Sequence, residues 1–118
     1  MTQDKTKGFE WLLKSAEHGN AKAMNNVGLC YSKGEGVTQD KKKAFKWFLK
    51  AAENVHATAM FNVGLCYDKG EGVTQDKTKA FEWFLKSAEN GSTDAMKEVG
   101  CFLCRGTVVS RDLKKARE

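Results

Sequence analysis

The feature that most constrains this chain is an internal repeat of 36 residues. Trp11, Trp47 and Trp83 are spaced by 36 and 36, as are Met24, Met60 and Met96, and Gly28, Gly64 and Gly100. Residues 3–38 and 39–74 are identical at 25 of 36 positions. A third copy, 75–110, follows the pattern through Gly100 and then diverges: Leu103 replaces Tyr31 and Tyr67, and Gly106-Thr107-Val108-Val109 replaces the Gly-Glu-Gly-Val loop. Residues 111–118 open a partial fourth copy, in which Asp112, Lys115 and Ala116 match Asp40, Lys43 and Ala44. Such a period marks an array in which each unit buries its apolar face only against its neighbours. The 118 residues are therefore read as one domain.

Each unit reads as two helices. In the second copy Asp40 suits an N-cap, because its carboxylate accepts from free amides of the first turn. A wide apolar face follows at helical spacing, centred on Ala44, Phe48, Ala51 and Ala52, with Lys42, Lys43, Lys46, Lys50 and Glu53 opposite. Residues 54–56 form the turn, where the other copies carry Gly19 or Gly91. Ala59, Met60, Val63, Gly64 and Tyr67 make the packing stripe of the second helix. Glycine inside a helix costs about 1 kcal/mol, so its recurrence at 28, 64 and 100 predicts a close helix crossing. Gly70 suits a left-handed C-cap, Val73 plugs back into the core, and Asp76 caps the next helix. The tryptophans are expected in the stacked core, with Trp47 of the middle copy the most consequential.

The elements Ala44-Phe45-Lys46-Trp47-Phe48, Ala51-Ala52, Ala59, Val63-Gly64-Leu65-Cys66-Tyr67, Gly70-x-Gly72-Val73 and Asp76, in this order, resemble the Sel1-like repeat, a relative of the tetratricopeptide repeat. The resemblance implies an all-α, right-handed α/α superhelix (solenoid) of helix-turn-helix repeats, its first helices lining a concave surface. It also implies an adaptor that assembles protein complexes. The chain departs from the family pattern at Val55, at Gly8 where Ala44 and Ala80 stand, and in the third copy.

Composition agrees with a folded domain: 41% of residues are hydrophobic and 30% charged, with a net charge of +5. The longest basic run, Lys41 to Lys43, follows Asp40 and is read as a solvated helix face rather than a nucleic-acid site. No membrane-spanning stretch and no secretory leader are legible, so a cytoplasmic location is expected.

The chemistry-bearing residues are explained by the repeat. Cys30 and Cys66 are equivalent positions, expected roughly 10 Å apart in neighbouring repeats and so beyond the ~7 Å reach of a disulfide. They read as small buried hydrophobes. Cys101-Phe102-Leu103-Cys104 has the spacing of a redox pair or half a zinc site, but no second such pair exists, and it aligns with the second helix at Leu65-Cys66-Tyr67-Asp68. All four thiols are expected free. His18 and His56 read as exposed turn residues, and the Gly-Glu-Gly-Val loop as an inter-repeat turn rather than an anion cradle. No metal, no cofactor and no catalytic residue is assigned; an enzyme is the reading from a different class.

One surface pattern recurs in register. Leu13, Leu49 and Leu85 flank the first helix, and Lys14, Lys50 and Lys86 follow them; Lys46 stands where the other copies have Glu10 and Glu82. The leucines either pack against the neighbouring first helix or, with the lysines, line a groove for a protein or peptide partner. The expected function is a protein–protein interaction module, monomeric or weakly self-associating end to end. A spacer within a longer array, attached to another domain such as a kinase-like one, is the alternative.

Overall fold

The computed structural model describes residues 2–106. Six α-helices and no strand occur among them: α1 (Thr2–Glu17), α2 (Ala21–Lys33), α3 (Lys41–Glu53), α4 (Ala57–Lys69), α5 (Lys77–Glu89) and α6 (Thr93–Arg105). Each helix packs chiefly on the helix before and after it. The body is elongated, 49 × 23 × 19 Å, as expected where units meet only their neighbours. The protein is an all-α helical repeat solenoid.

The helix ends follow from the residues that sit there. Asp40 and Asp76 accept from the amides of Lys43 and Lys79, and Asn20 and Ser92 from those of Ala23 and Ala95. Gly34, Gly70 and Gly106 close α2, α4 and α6 in the left-handed region, with φ of 72°, 71° and 62°. Their side-chain-free backbone adopts that region at little steric cost.

The core uses the face expected of the first helix: Ala44, Phe48, Ala51 and Ala52 are all buried. The repeated glycine marks a close crossing. A Cβ at Gly28 would stand 2.6 Å from the Phe48 ring, and one at Gly64 would stand 2.6 Å from the Phe84 ring. The carbonyls of Ala44 and Ala80 lie beside the same two glycines. Gly72 lies so close to the Lys41 carbonyl that no side chain fits. Val73 is half-buried and packs back on the core.

The tryptophans differ from expectation. Trp11 is 69% exposed, and Trp47 and Trp83 are half-buried. Each sits one residue before the position that points inward, occupied by Leu12, Phe48 and Phe84. A step of one residue turns a helix by about 100°, which places the indole on the flank. Phe48 and Phe84, not the tryptophans, fill the stack.

Candidate functional site

The exposed side of the first helices carries one arrangement three times. Lys14 lies over the Trp11 ring, Lys50 over Trp47 and Lys86 over Trp83, with ammonium-to-centroid distances of 5.0, 4.7 and 4.9 Å. The spacing of three residues brings both side chains onto one helix face. There the ring quadrupole attracts the ammonium. Trp47 and Lys50, with Glu53 and Asn54, wall a depression that is closed on the other side by Ala16, Glu17 and Gly19 of the preceding unit. A second depression on α1 is lined by Lys7, Glu10, Trp11, Leu13, Lys14 and Glu17.

Of the residues singled out from the sequence, Lys14, Lys46, Lys50 and Lys86 are exposed. Leu13 and Leu49 are half-buried against the larger core, and Leu85 is half-buried against the smaller C-terminal one. Lys46, like Glu10 and Glu82, points to solvent. Beside these lysines Trp11 is exposed, whereas Trp47 and Trp83 are half-buried like the leucines and pack in part against the core. The Trp-x-x-Lys spacing in the sequence is the signal for these stacks.

The cysteines take two environments. Cys66 is buried, and burial pushes its thiol up to about 11, with nearby Glu71 adding and Lys41 opposing. Cys30 is shifted upward for the same reason, with Glu35 adding. Such thiols are poor nucleophiles. The third copy places Phe102 at the equivalent position, 1% exposed, so the site is one of apolar packing. Cys101 and Cys104 are exposed on α6, and all four thiols are free.

The histidines differ from one another. His18 is exposed and its Nδ1 lies 2.8 Å from the Lys14 carbonyl. Asn54 and Asn90 make the equivalent contact, donating to the Lys50 and Lys86 carbonyls. His56 is half-buried rather than exposed and occupies the N-cap position of α4 without a side-chain capping bond. Burial lowers its pKa, and Lys22 adds to the effect. No helix among the described residues is long and apolar enough to cross a membrane.

Comparison with known proteins agrees with this geometry. The family model of the Sel1 repeat matches residues 1–20, 21–56, 57–92 and 93–118. Its unit pairs a second helix with the first helix that follows, the pairing held by Gly28–Phe48 and Gly64–Phe84. Among solved structures, the chain is similar to a Sel1 repeat protein from Oxalobacter formigenes, at 38% identity and a TM-score of 0.79, covering 86% of this chain and 42% of that one. It is similar to c5321, a protective antigen of uropathogenic Escherichia coli strains with an SLR fold, at 36% identity and a TM-score of 0.82, covering 86% and 22%. It is also similar to the cysteine rich protein B of Helicobacter pylori, at 28% identity and a TM-score of 0.75, covering 79% and 70%. The chain thus spans less than half the length of the first two. A search of curated proteins gives no match. With the repeat matched along its whole length and the solenoid built from it, the chain belongs to the Sel1 repeat family.

Proposed function

We propose that the chain is a protein-interaction module, not a catalyst, and that a partner docks along the row of first helices. The observation that carries this reading is the Trp–Lys stack repeated at one register in α1, α3 and α5. Each stack offers an apolar ring face beside a positive charge. A partner segment lying across the row meets that chemistry at each step, which favours apolar side chains alternating with acidic ones. Leu13, Leu49 and Leu85 lie half-buried on the same helices, and Lys46 adds charge in the middle copy. Each exposed lysine–acid contact contributes roughly 0.2–1 kcal/mol, so binding is shared among repeats and weakens with salt.

The test reverses Lys14, Lys50 and Lys86 to Glu together. These side chains are exposed, so the helical circular dichroism is expected to be unchanged while capture of the partner is lost. A folded triple variant that still binds with unchanged affinity sinks the assignment. The outer helices or the Gly-Glu-Gly-Val loops then become the docking surface. A second reading has its own support: the chain spans 42% and 22% of two similar solved proteins. A segment of a longer array acting as a spacer would tolerate the triple reversal without loss.

A further inference from the structure

Two turns of the array place an asparagine in the same setting with a different residue after it. Asn54 closes α3 and Asn90 closes α5, with similar backbone angles: φ −94° and ψ 24° for the first, φ −98° and ψ 14° for the second. The Asn54 side-chain amide donates to the Lys50 carbonyl at 2.9 Å, and the Asn90 amide to the Lys86 carbonyl at 2.8 Å. Each amide also reaches a methionine sulfur across the junction with the preceding helix, Met24 at 3.9 Å and Met60 at 3.7 Å. Both asparagines are exposed. The residue that follows is Val55 in one turn and Gly91 in the other. Of the six asparagines in the chain, Asn90 alone precedes glycine.

Asparagine is among the thermolabile residues of a protein. The backbone nitrogen of the next residue attacks its Cγ, a five-membered imide closes, and the side-chain nitrogen leaves as ammonia. Water then opens the ring at either carbonyl and leaves an aspartyl or an isoaspartyl residue. One water is consumed, one ammonia is released, and no oxidant or reductant is needed. A Cβ on the next residue crowds the closing ring, and glycine has none. In both turns the attacking N–H is held, Val55 by the Ala52 carbonyl at 2.9 Å and Gly91 by the Ala88 carbonyl at 3.0 Å. Each therefore needs the same local opening before it reacts. The left-handed strain of Val55, with φ of 58°, favours opening of its own turn, so a slower reaction at Asn54 reports the Cβ. Exposure here belongs to the turn itself: Val55, with α5 and α6 following it in the chain, is 66% exposed at the position equivalent to Gly91.

We propose that Asn90 is a modification site: it deamidates spontaneously in the folded chain, faster than Asn54 because glycine follows it, and the product loosens the end of α5. The new carboxylate no longer donates to the Lys86 carbonyl or to Met60, and its charge lies at the negative end of the α5 dipole. The isoaspartyl form also adds a methylene to the main chain inside the turn. There the Ser92 N–H donates to the Ser87 carbonyl at 3.1 Å, and the Ser92 hydroxyl oxygen accepts from the Ala95 amide. Position 90 stands four residues after Lys86, within reach on the same helix face. The carboxylate therefore draws the Lys86 ammonium from the Trp83 ring, whose centroid it faces at 4.9 Å. That last effect matters to binding through the lysine-row reading, on which it rests; the chemistry and the loss of stability do not depend on it.

The test ages the full chain at mildly alkaline pH and maps it by proteolysis and mass spectrometry, beside the same chain held unfolded in guanidinium chloride. In the folded chain Asn90 is expected to convert about tenfold or more faster than Asn54, a barrier difference of about 1.4 kcal/mol, and to give both aspartyl and isoaspartyl products. Val55→Gly removes the Cβ that protects Asn54 and is expected to bring its rate close to that of Asn90. Asn90→Asp, the aspartyl product made directly, is expected to lower the urea midpoint at unchanged slope, with aged wild type shifting toward it. An Asn90 that stays intact in the folded chain while the unfolded control converts overturns the proposal. So does equal conversion of Asn54 and Asn90 in the wild type, or an Asn54 that stays inert in Val55→Gly. An Asn90→Asp chain as stable as the wild type overturns the assigned consequence. Partner capture is no part of these readouts, so failure of the lysine-row reading leaves each of them unchanged.

Discussion

Val55 has a φ of 58° in the turn between α3 and α4, where Gly19 and Gly91 adopt 92° and 99°. A β-branched residue pays about 1–2 kcal/mol for the left-handed region. Part of that is offset because valine restricts the unfolded chain more than glycine does. Val55→Gly is therefore expected to stabilise the fold by about 1 kcal/mol, read as a higher midpoint in urea at unchanged slope. The next residue offers a second gain. His56 stands at an N-cap where Asn20 and Ser92 accept helix amides in the neighbouring units, and restoring a cap contributes about 1 kcal/mol. His56→Asn is expected to raise stability by that amount. The same substitution changes the pH dependence. The folded-state pKa of His56 lies below its ordinary value of 6.5, chiefly through burial, so the unfolded chain takes up the proton first. The contribution is present in full above the unfolded value and is lost as pH falls through the folded one. Denaturant titrations between about pH 7 and pH 5 should show a flatter profile for His56→Asn than for the wild type.

At the scale of the helix, one repeat position has two environments. Glycine costs a helix interior about 1 kcal/mol relative to alanine. At Gly64 that cost is accepted because an added methyl group would stand 2.6 Å from the Phe84 ring. At Gly100 the space is open. Gly64→Ala is expected to destabilise by about 1–3 kcal/mol through overpacking, whereas Gly100→Ala is expected to stabilise by about 1 kcal/mol. Opposite signs at equivalent positions, measured by thermal or urea unfolding, would locate the junction; equal signs would remove it. The second helices also carry a contact that the repeat does not repeat. The Asn62 amide donates to the buried Asn25 carbonyl oxygen at 2.8 Å, joining α4 to α2. Leaving Asn25 without this partner would strand a buried polar group.

For the whole molecule, the stack rests on phenylalanines. Phe48 is 4% exposed and Phe84 0%, and truncating a buried ring costs about 3–5 kcal/mol. A domain of this kind has a total stability of about 5–15 kcal/mol. Phe48→Ala, in the middle of the array, is therefore expected to remove most of the stability, because units communicate only through nearest-neighbour interfaces. Trp47→Ala removes a half-exposed ring and is expected to cost about 1–2 kcal/mol. Urea unfolding followed by circular dichroism checks the pair. Equal losses for Phe48→Ala and Trp47→Ala would mean that the indole, not the phenyl ring, holds the stack.

The helix pairs, their caps at Asp40 and Asp76, the left-handed ends at Gly34 and Gly70, and the core face of Ala44, Phe48, Ala51 and Ala52 are all determined by the sequence alone. Each depends on local backbone chemistry or on helical periodicity, and a repeat states both several times over. Only the tertiary structure decided which flanking residues the neighbouring unit covers. Trp11 and Trp47 occupy one register, yet Trp11 is exposed and Trp47 half-buried, because α1 precedes α3 and no described helix precedes α1. Gly64 and Gly100 share a register and differ for the corresponding reason at the other end. The buried hydroxyl of Ser87 was likewise illegible: it stands where Ala51 stands in the second copy, and it is satisfied only by donating to the Ala57 carbonyl at 2.6 Å. Periodicity specifies the face of a helix, whereas burial is a property of pairs of helices, so equivalent residues can meet different environments wherever their neighbours differ.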